Sequence, residues 1–320
     1  MRRSSTVAAA VVVALGALVA LAGCSAAADD EAPDTSAYTD GSRVPKVEKE
    51  RDIPELPLSR YEFGADDTKR TTRAQARLAQ RCMAGHGFAD FPLDPALPGS
   101  MNTVGGQLVS VAMATPFGGL DLGEARRWGY GWDPKTAEKA AAKKGRPMTD
   151  AEFEVLYNSD HSTGRTVNGR AIPENGCSGQ AAARLTEGVD DTTRMYTYTS
   201  RRSQALAEEA RKDPDVSRAL RIWAACVEDK GFARYAGRAE AFRDKAWDRG
   251  DDGNTRRTRE ERDTAVADIE CAREHNTVGA WWAGEARAQS ADVRSHCAAY
   301  EAVRRDQEVV RANSRDVLGD

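Results

Sequence analysis

The chain has 320 residues, 40% apolar and 30% charged, with a formal net charge of −4, which gives no reason to expect a nucleic-acid partner. Leu, Ile, Val and Phe make up only 49 of these residues, and their share of about 15% is below the ~20% expected of a chain with a packed core. This composition excludes a membrane-spanning bundle and argues against a strand-rich α/β enzyme, whose buried strands need continuous Val and Ile runs.

The N-terminus is organised as an export signal. Arg2 and Arg3 precede an uninterrupted apolar stretch over 7–22. This stretch is shorter than the roughly 20 residues that a spanning helix needs, and it suits the hydrophobic region of a signal peptide. Residues 1–23 are therefore predicted to be a signal peptide.

The apolar stretch ends in Leu21, Ala22, Gly23 and Cys24. This quartet resembles the lipobox of bacterial lipoproteins. The resemblance implies a thioether-linked diacylglycerol on Cys24 and cleavage just before it. Two or more acyl chains hold a protein stably on a membrane, so we expect an anchor on the extracytoplasmic face rather than a span. A plain signal peptide is the alternative.

Residues 24–60 are predicted to be the lipidated cysteine followed by a disordered tether. The segment is rich in charge and contains prolines 33, 45, 54 and 57, with few large apolar residues. Such a composition cannot bury enough apolar surface to fold. The body is then expected to comprise an N-terminal repeat half over 61–199 and a C-terminal helical repeat half over 200–320.

The first part of the body is predicted to mix helix with irregular structure. Helical periodicity covers 66–85, and the one plausible strand covers 107–117. A short helix is predicted over 150–158, because Thr149 and Glu152 form a capping box at its start.

The later part of the body reads as a series of helices. The strongest pattern places Val216, Leu220, Trp223 and Val227 on one face of a helix. The segment from Val278 onward contains no proline and is predicted to be one long helix. The helices predicted in this part cover 180–186, 200–212, 215–230, 238–247, 258–275 and 278–317. The expected fold is mainly α: a disulfide-braced helical domain with an irregular middle segment containing short β structure.

Two windows 144 residues apart, 78–91 and 222–235, share a pattern. Each has a cysteine, an apolar residue, three variable residues, Gly-Phe-Ala, one variable residue and an aromatic. The pattern predicts a helix end capped by glycine, with an aromatic folded back onto the helix. We interpret the match as an internal duplication.

Export places the cysteines in an oxidising compartment, where disulfides persist. The repeat suggests one bridge for each copy, Cys82–Cys177 and Cys226–Cys271. Cys297 is then left over and is expected to be a buried thiol. A Cys271–Cys297 pairing remains open, because connectivity does not follow from sequence.

These features together resemble a group of uncharacterised actinobacterial lipoproteins of the Streptomyces type. The similar elements are the lipobox, the Trp-x-x-Cys-(apolar)-x-x-x-Gly-aromatic helix end at 223–232 and the helix around 265–271. A further similar element is Gly176 and Cys177 ahead of an Ala-rich helix. The resemblance covers most of 70–320. The resemblance implies a lipid-anchored envelope protein, and it implies no activity and no cofactor.

Two arrangements could carry hydrolytic or calcium chemistry. Cys177 with His161 and Asp160 could form a nucleophile, although a disulfide cysteine beside a loop histidine is the simpler interpretation. The acidic loop from position 248 resembles a calcium loop, but its twelfth position is Arg259 instead of a bidentate glutamate. Neither arrangement is retained, so no catalytic residue is predicted.

Zinc ligation is weighed at two helix ends. Cys82 with His86, and Cys271 with His275, are each four residues apart, so each pair can share a helix face. Neither is accompanied by a second pair that completes a ligand set, and the cysteines are expected in disulfides. We predict no metal and no cofactor.

Five aromatic residues are candidates for a contact surface: Trp128, Tyr130, Trp132, Trp281 and Trp282. The first three lie among glycines, where rings can form exposed platforms. The alternative is that they fill a core short of aliphatic volume.

The leading functional hypothesis is a non-enzymatic, membrane-anchored binding or interaction protein of the cell envelope. Its partner would be an envelope protein or polymer. A cell-envelope hydrolase is one alternative. A solute-binding component of an importer is another, although its two α/β lobes would need many apolar parallel strands.

Overall fold

A computed structural model describes residues 44–91, 119–131, 133, 148–159, 161, 163–248 and 257–319. The predicted signal peptide, the lipobox with Cys24, the strand at 107–117 and Trp132 lie outside these residues, as do Asp160 and most of the acidic loop.

The described residues form a mainly α-helical, disulfide-braced domain, as predicted. Its ten α-helices are α1 Ala65–Gly85, α2 Leu122–Trp128, α3 Asp150–Tyr157, α4 Gly176–Leu185, α5 Thr192–Ala210, α6 Pro214–Asp229, α7 Arg238–Phe242, α8 Arg259–Glu274, α9 Thr277–Ser295 and α10 Cys297–Leu318. Three short 3₁₀ helices accompany them, at Glu50–Asp52, Pro57–Tyr61 and Lys245–Trp247.

The β structure in the described residues is one two-stranded hairpin. Strand β1, Thr166–Val167, pairs antiparallel with β2, Arg170–Ala171. Asn168 and Gly169 form the turn, both with positive φ, and Asn-Gly is the residue pair that a tight hairpin turn of this kind favours. The parallel strands of an importer's α/β lobes are not found in this part of the chain.

The capping box predicted from Thr149 and Glu152 is confirmed. The Thr149 side chain accepts from the Glu152 amide at 3.2 Å, and the Glu152 carboxylate accepts from the Thr149 amide at 2.9 Å. This is the capping box predicted for α3. Thr258 likewise caps α8 by accepting from the Glu261 amide at 3.0 Å.

The long terminal helix predicted over 278–317 is wrong, because the chain breaks into α9 and α10 at His296. The residue leaves helical geometry at φ −125° and ψ 26°. The break lets the Tyr300 hydroxyl donate to Asp292 Oδ2 at 2.6 Å across the junction. It also lets α10 fold back against α1 and α5.

Two other predicted helices begin too late. Helix α4 already contains Cys177, which the sequence pattern placed before the helix. Its first residue, Gly176, has a φ of 64°, and an added Cβ would collide with the carbonyl of Leu156. Helix α5 starts at Thr192, where the Asp191 side chain caps it. The predicted boundary between halves at residue 200 therefore falls inside α5.

Three apolar clusters make up most of the core. The largest lies among α2, α6, α8 and α9 and is centred on Trp223 and Trp281. A second joins α1, α3 and α4 around Met83 and Cys177. The third packs the Pro57–Tyr61 turn against α5 and α10.

Residues 44–60 are packed onto the helices, and we call them the docked segment. Val47 is 1% exposed, and its amide donates to Asn276 Oδ1 at 3.0 Å. The buried Leu58 amide donates to Gln289 Oε1 at 3.0 Å. The prediction of a disordered tether reaching residue 60 is therefore wrong for its last 17 residues, because a few apolar side chains and the acceptors Asn276, which precedes α9, and Gln289 on α9 hold them.

Candidate functional site

The predicted contact aromatics are largely core residues. Tyr130 is 7% exposed and Trp281 is 1% exposed, and both belong to the largest apolar cluster. Trp282 is half-buried against the same cluster, and Trp128 is half-buried at the end of α2. The contact-surface interpretation is therefore wrong for Tyr130 and Trp281, which fill volume that this Ala-rich chain otherwise lacks.

A buried polar cluster surrounds Tyr130. Its ring lies under the Arg238 guanidinium at 5.5 Å, and Arg238 Nε lies 3.0 Å from Asp268 Oδ2. Trp223 Nε1 donates to Asp268 Oδ1 at 3.1 Å. Burial raises the pKa of Asp268 although Arg238 opposes the shift. The cluster joins α2, α6, α7 and α8. Its groups are enclosed, so a substrate cannot reach them.

Both predicted disulfides are present. Cys82 bonds to Cys177 with a Cα–Cα distance of 5.6 Å, and Cys226 bonds to Cys271 with 5.8 Å. Each bridge ties the last turn of one helix to a second helix. The open alternative Cys271–Cys297 is excluded, because Cys271 is bonded to Cys226. The expectation that Cys297 is a free thiol is wrong.

The two repeat windows end their helices in the same way. Gly87 and Gly231 both have a φ of 90°. The amide of Phe88 reaches back to the carbonyl five residues earlier at 3.0 Å, and that of Phe232 does so at 3.3 Å. The window-ending aromatics, Phe91 and Tyr235, are buried. This is the glycine C-cap that the repeat predicted.

A histidine lies beside the first bridge. One imidazole nitrogen of His86 and the sulfurs of Cys82 and Cys177 all lie within 4.8 Å of one another. His86 is 6% exposed, and its Nδ1 is buried with no hydrogen-bond partner. The sequence pointed to the Cys82–His86 spacing but not to the burial of the ring.

The second bridge has a different neighbourhood. A ligand atom from each of Cys226, Glu274 and His275 lies within 4.8 Å of the others. His275 is exposed, and its Nε2 lies 3.9 Å from the Glu274 carboxylate. The His275 side chain is thus 31% exposed, whereas His86 is enclosed.

The nucleophile hypothesis fails at Cys177. Its sulfur is committed to the bridge with Cys82, so it is not a free thiolate. His161 is exposed on a loop and has a positive φ of 51°. A disulfide sulfur is not a nucleophile, so this pair cannot perform Cys/His chemistry.

A cleft of about 400 Å³ opens between the docked segment, α2 and α8. Cations from Lys49, Arg51 and Arg273 line it, together with the carboxylates of Glu50 and Asp121. Sequence reasoning did not find this cleft, because its cations come from segments that lie far apart in the chain.

Backbone groups hold the acidic side of the cleft. Glu50 Oε1 accepts from the Leu120 amide at 2.5 Å, and Asp121 accepts from the Gly123 and Glu124 amides. The two amide hydrogen bonds lower the pKa of Asp121. These carboxylates therefore serve as structural acceptors.

The cationic side keeps unused donor capacity. Arg273 donates from one terminal nitrogen to the Leu120 carbonyl at 2.7 Å, while its Nε is buried without a hydrogen-bond partner. A second depression of about 420 Å³ on α6 is lined by Leu220, Tyr235 and neighbouring residues that include two arginines and Glu240.

No protein-family model matches the chain, and no curated protein or solved structure shows significant similarity to it. Across the described residues, the helices are too short or too polar to cross a membrane.

Proposed function

We propose that the chain is a lipid-anchored lipoprotein on the extracytoplasmic face of a cell membrane and that its helical domain binds an envelope component. The observation that carries the anchor is the order of signals at the N-terminus. A basic start, a short apolar run and the box from Leu21 to Cys24 follow one another without a gap. Each signal alone is weak, and their alignment supports lipidation of Cys24.

The docked segment supports a binding role close to the anchor. It begins only 20 residues after Cys24 and supplies Lys49 and Arg51 to the cleft. The binding cleft thus lies on the part of the domain where the chain arrives from the membrane.

The cleft favours a partner that presents an anionic group. The carboxylates that line it already accept backbone amides, whereas three cations, Lys49, Arg51 and Arg273, line the same cleft. A carboxylate or phosphate is the group that pairs best with a guanidinium. An acidic envelope protein or polymer therefore fits this site.

Lipidation is tested by expressing the full chain and a Cys24→Ala variant in a bacterial host with a lipoprotein pathway. We expect the parent chain in the membrane fraction, with a diacylglycerol-modified N-terminal peptide by mass spectrometry. The variant should lose both the modification and membrane retention, while a Ser25→Ala control keeps both. An unmodified parent chain that partitions like the variant would refute the anchor.

Binding is tested by photo-crosslinking in intact cells. A crosslinking residue is placed at Lys49 in the cleft or, as a matched control, at the exposed Lys245. We expect a discrete acidic product from Lys49 only, and Arg273→Ala should reduce its yield several-fold. Equal products from both positions, or no product from Lys49, would contradict the assignment of the cleft.

A further inference from the structure

We propose that the Cys82–Cys177 bridge is a redox-controlled zinc site, in which reduction by a dithiol frees two thiolates that bind Zn²⁺ together with His86. The site is independent of the lipid anchor and of the cleft. It rests on three groups that the fold brings together from the end of α1 and the start of α4.

The geometry suits the ion. Tetrahedral zinc holds sulfur at about 2.3 Å and nitrogen at about 2.0 Å, which places two sulfurs about 3.8 Å apart. The three ligand atoms already lie within 4.8 Å of one another, on backbones whose cysteine Cα atoms are 5.6 Å apart. Side-chain rotation after reduction is enough to open the sulfurs to ligand spacing. A water molecule completes the four positions.

His86 is the observation that points to a ligand. A buried imidazole nitrogen without a hydrogen-bond partner is uncommon and calls for an explanation. His86 is 6% exposed, and its backbone is fixed because Asn168 Nδ2 donates to the His86 carbonyl at 2.5 Å. One ring nitrogen lies within 4.8 Å of both sulfurs, and Nδ1 has no hydrogen-bond partner, so the imidazole is available as a metal ligand when the sulfurs are released.

Charge balance favours Zn²⁺ over a monovalent ion. Two thiolates and a neutral imidazole give a neutral complex with a divalent cation. Cys177 is fully buried and His86 nearly so, and a low-dielectric site disfavours net charge. Thiolate and imidazole are ligands that zinc accepts readily.

The external dithiol supplies the two electrons that open the Cys82–Cys177 disulfide. A thiolate of an external dithiol attacks the sulfur of Cys82, which is half-buried, and the bond to Cys177 breaks. Cys177 leaves as a thiolate in the first turn of α4, where the helix dipole favours negative charge. The second thiol of the reductant, as its thiolate, then attacks the mixed disulfide and releases Cys82 as a thiolate, and the reductant is left as an intramolecular disulfide. Zn²⁺ binds the two cysteines, and any thiol proton still present is released.

The second bridge provides an internal comparison. Its fully buried sulfur belongs to Cys271, in the last turn of α8, where the dipole disfavours a departing thiolate. Its histidine, His275, is exposed. We therefore expect Cys226–Cys271 to stay oxidised under conditions that open Cys82–Cys177.

The test uses the full chain in detergent, oxidised or reduced with limiting dithiol and freed of reductant without air. Co²⁺ serves as the spectroscopic probe and Zn²⁺ as its competitor. We expect no binding to the oxidised chain. The reduced chain should bind one equivalent with thiolate-to-cobalt absorption, and alkylation mapping should find only Cys82 and Cys177 reduced.

Variants separate ligation from structure. His86→Ala and the bulkier His86→Gln should each weaken zinc binding on the order of 100-fold, since loss of a ligand exceeds the effect of losing a supporting contact. His275→Ala should bind like the parent chain. Far-ultraviolet circular dichroism should show helix retained in every reduced chain. The proposal is overturned by unchanged affinity in both His86 variants, by absence of binding after reduction, or by binding that accompanies loss of helix.

Discussion

The two glycines that end α1 and α6 allow the most discriminating stability experiment on this chain. Gly87 and Gly231 have the same φ of 90°, so an alanine suffers the same backbone strain at either position. A left-handed conformation disfavours a residue with a Cβ by roughly 1–2 kcal/mol. Their surroundings, however, differ.

At Gly231 an added Cβ meets nothing within 4 Å, whereas at Gly87 it lies 2.7 Å from Asn168 Nδ2. That amide donates to the His86 carbonyl, so it cannot move away without breaking the hydrogen bond. The lost bond adds about 1 kcal/mol. We therefore expect Gly231→Ala to destabilise the protein by about 1–2 kcal/mol and Gly87→Ala by about 2–3 kcal/mol.

Equilibrium urea unfolding with the disulfides intact measures both changes. A third substitution, Asn168→Gly, removes the obstructing side chain and keeps the positive φ that this turn needs. In that background, Gly87→Ala should destabilise by the same amount as Gly231→Ala does in the parent chain. Equal effects of the two alanines in the parent, or an excess at Gly87 that survives Asn168→Gly, would refute the reasoning.

Three further outcomes follow from contacts of α9. Burial raises the pKa of Asp292, but the hydrogen bonds from Arg202 and Tyr300, together with the charge of Arg202, outweigh it and hold that pKa below its usual 3.8. This stabilisation is thus present above about pH 4 and is lost as the pH falls through the folded pKa. Asp292→Asn should lower the free energy of unfolding by about 2 kcal/mol at pH 7. In thermal melts between pH 2 and 6, the melting temperature of this variant should depend less on pH than that of the parent chain. At Gly284 an added Cβ would lie 2.5 Å from Val216 Cγ2, so Gly284→Ala should destabilise by about 1–3 kcal/mol in thermal melts. Adding Val216→Ala should recover part of that loss, and no recovery would place the clash elsewhere. At Gly279 a Cβ would collide with a carbonyl of the docked segment, so Gly279→Ala should speed proteolysis within that segment. N-terminal sequencing of the fragments identifies the cleavage site. Unchanged cleavage would mean that the segment docks by other contacts.

Patterns confined to one stretch of chain predicted the helix ends well. The repeat placed Cys82 and Cys226 in final turns, and the capping box at Thr149 marked a helix start to the residue. Both bridges followed from assigning one to each copy. These signals succeed because caps and C-terminal glycines act through the nearest few backbone groups.

Features that depend on distant contacts were missed. The break at His296 carries no proline or glycine, and the apolar stripe runs through it, so only the packing of α10 against α1 shows the turn. Core filling by Tyr130 was one of the two interpretations, but its partners Arg238 and Asp268 lie more than 100 residues away in sequence and could not be inferred from it. The cleft could not be predicted for the same reason, since Lys49 and Arg273 meet only in the folded chain.

If Cys24 carries the proposed lipid, docking of residues 44–60 limits how far the domain can lie from the membrane. Residue 44, the first described residue, is then only 20 positions after the anchor. A fully extended chain of that length spans at most about 70 Å, whereas a tether that reached residue 60 would span up to about 125 Å. Under that proposal, a partner of the cleft has to lie within this shorter distance of the bilayer, and residues inserted into the linker would increase the distance.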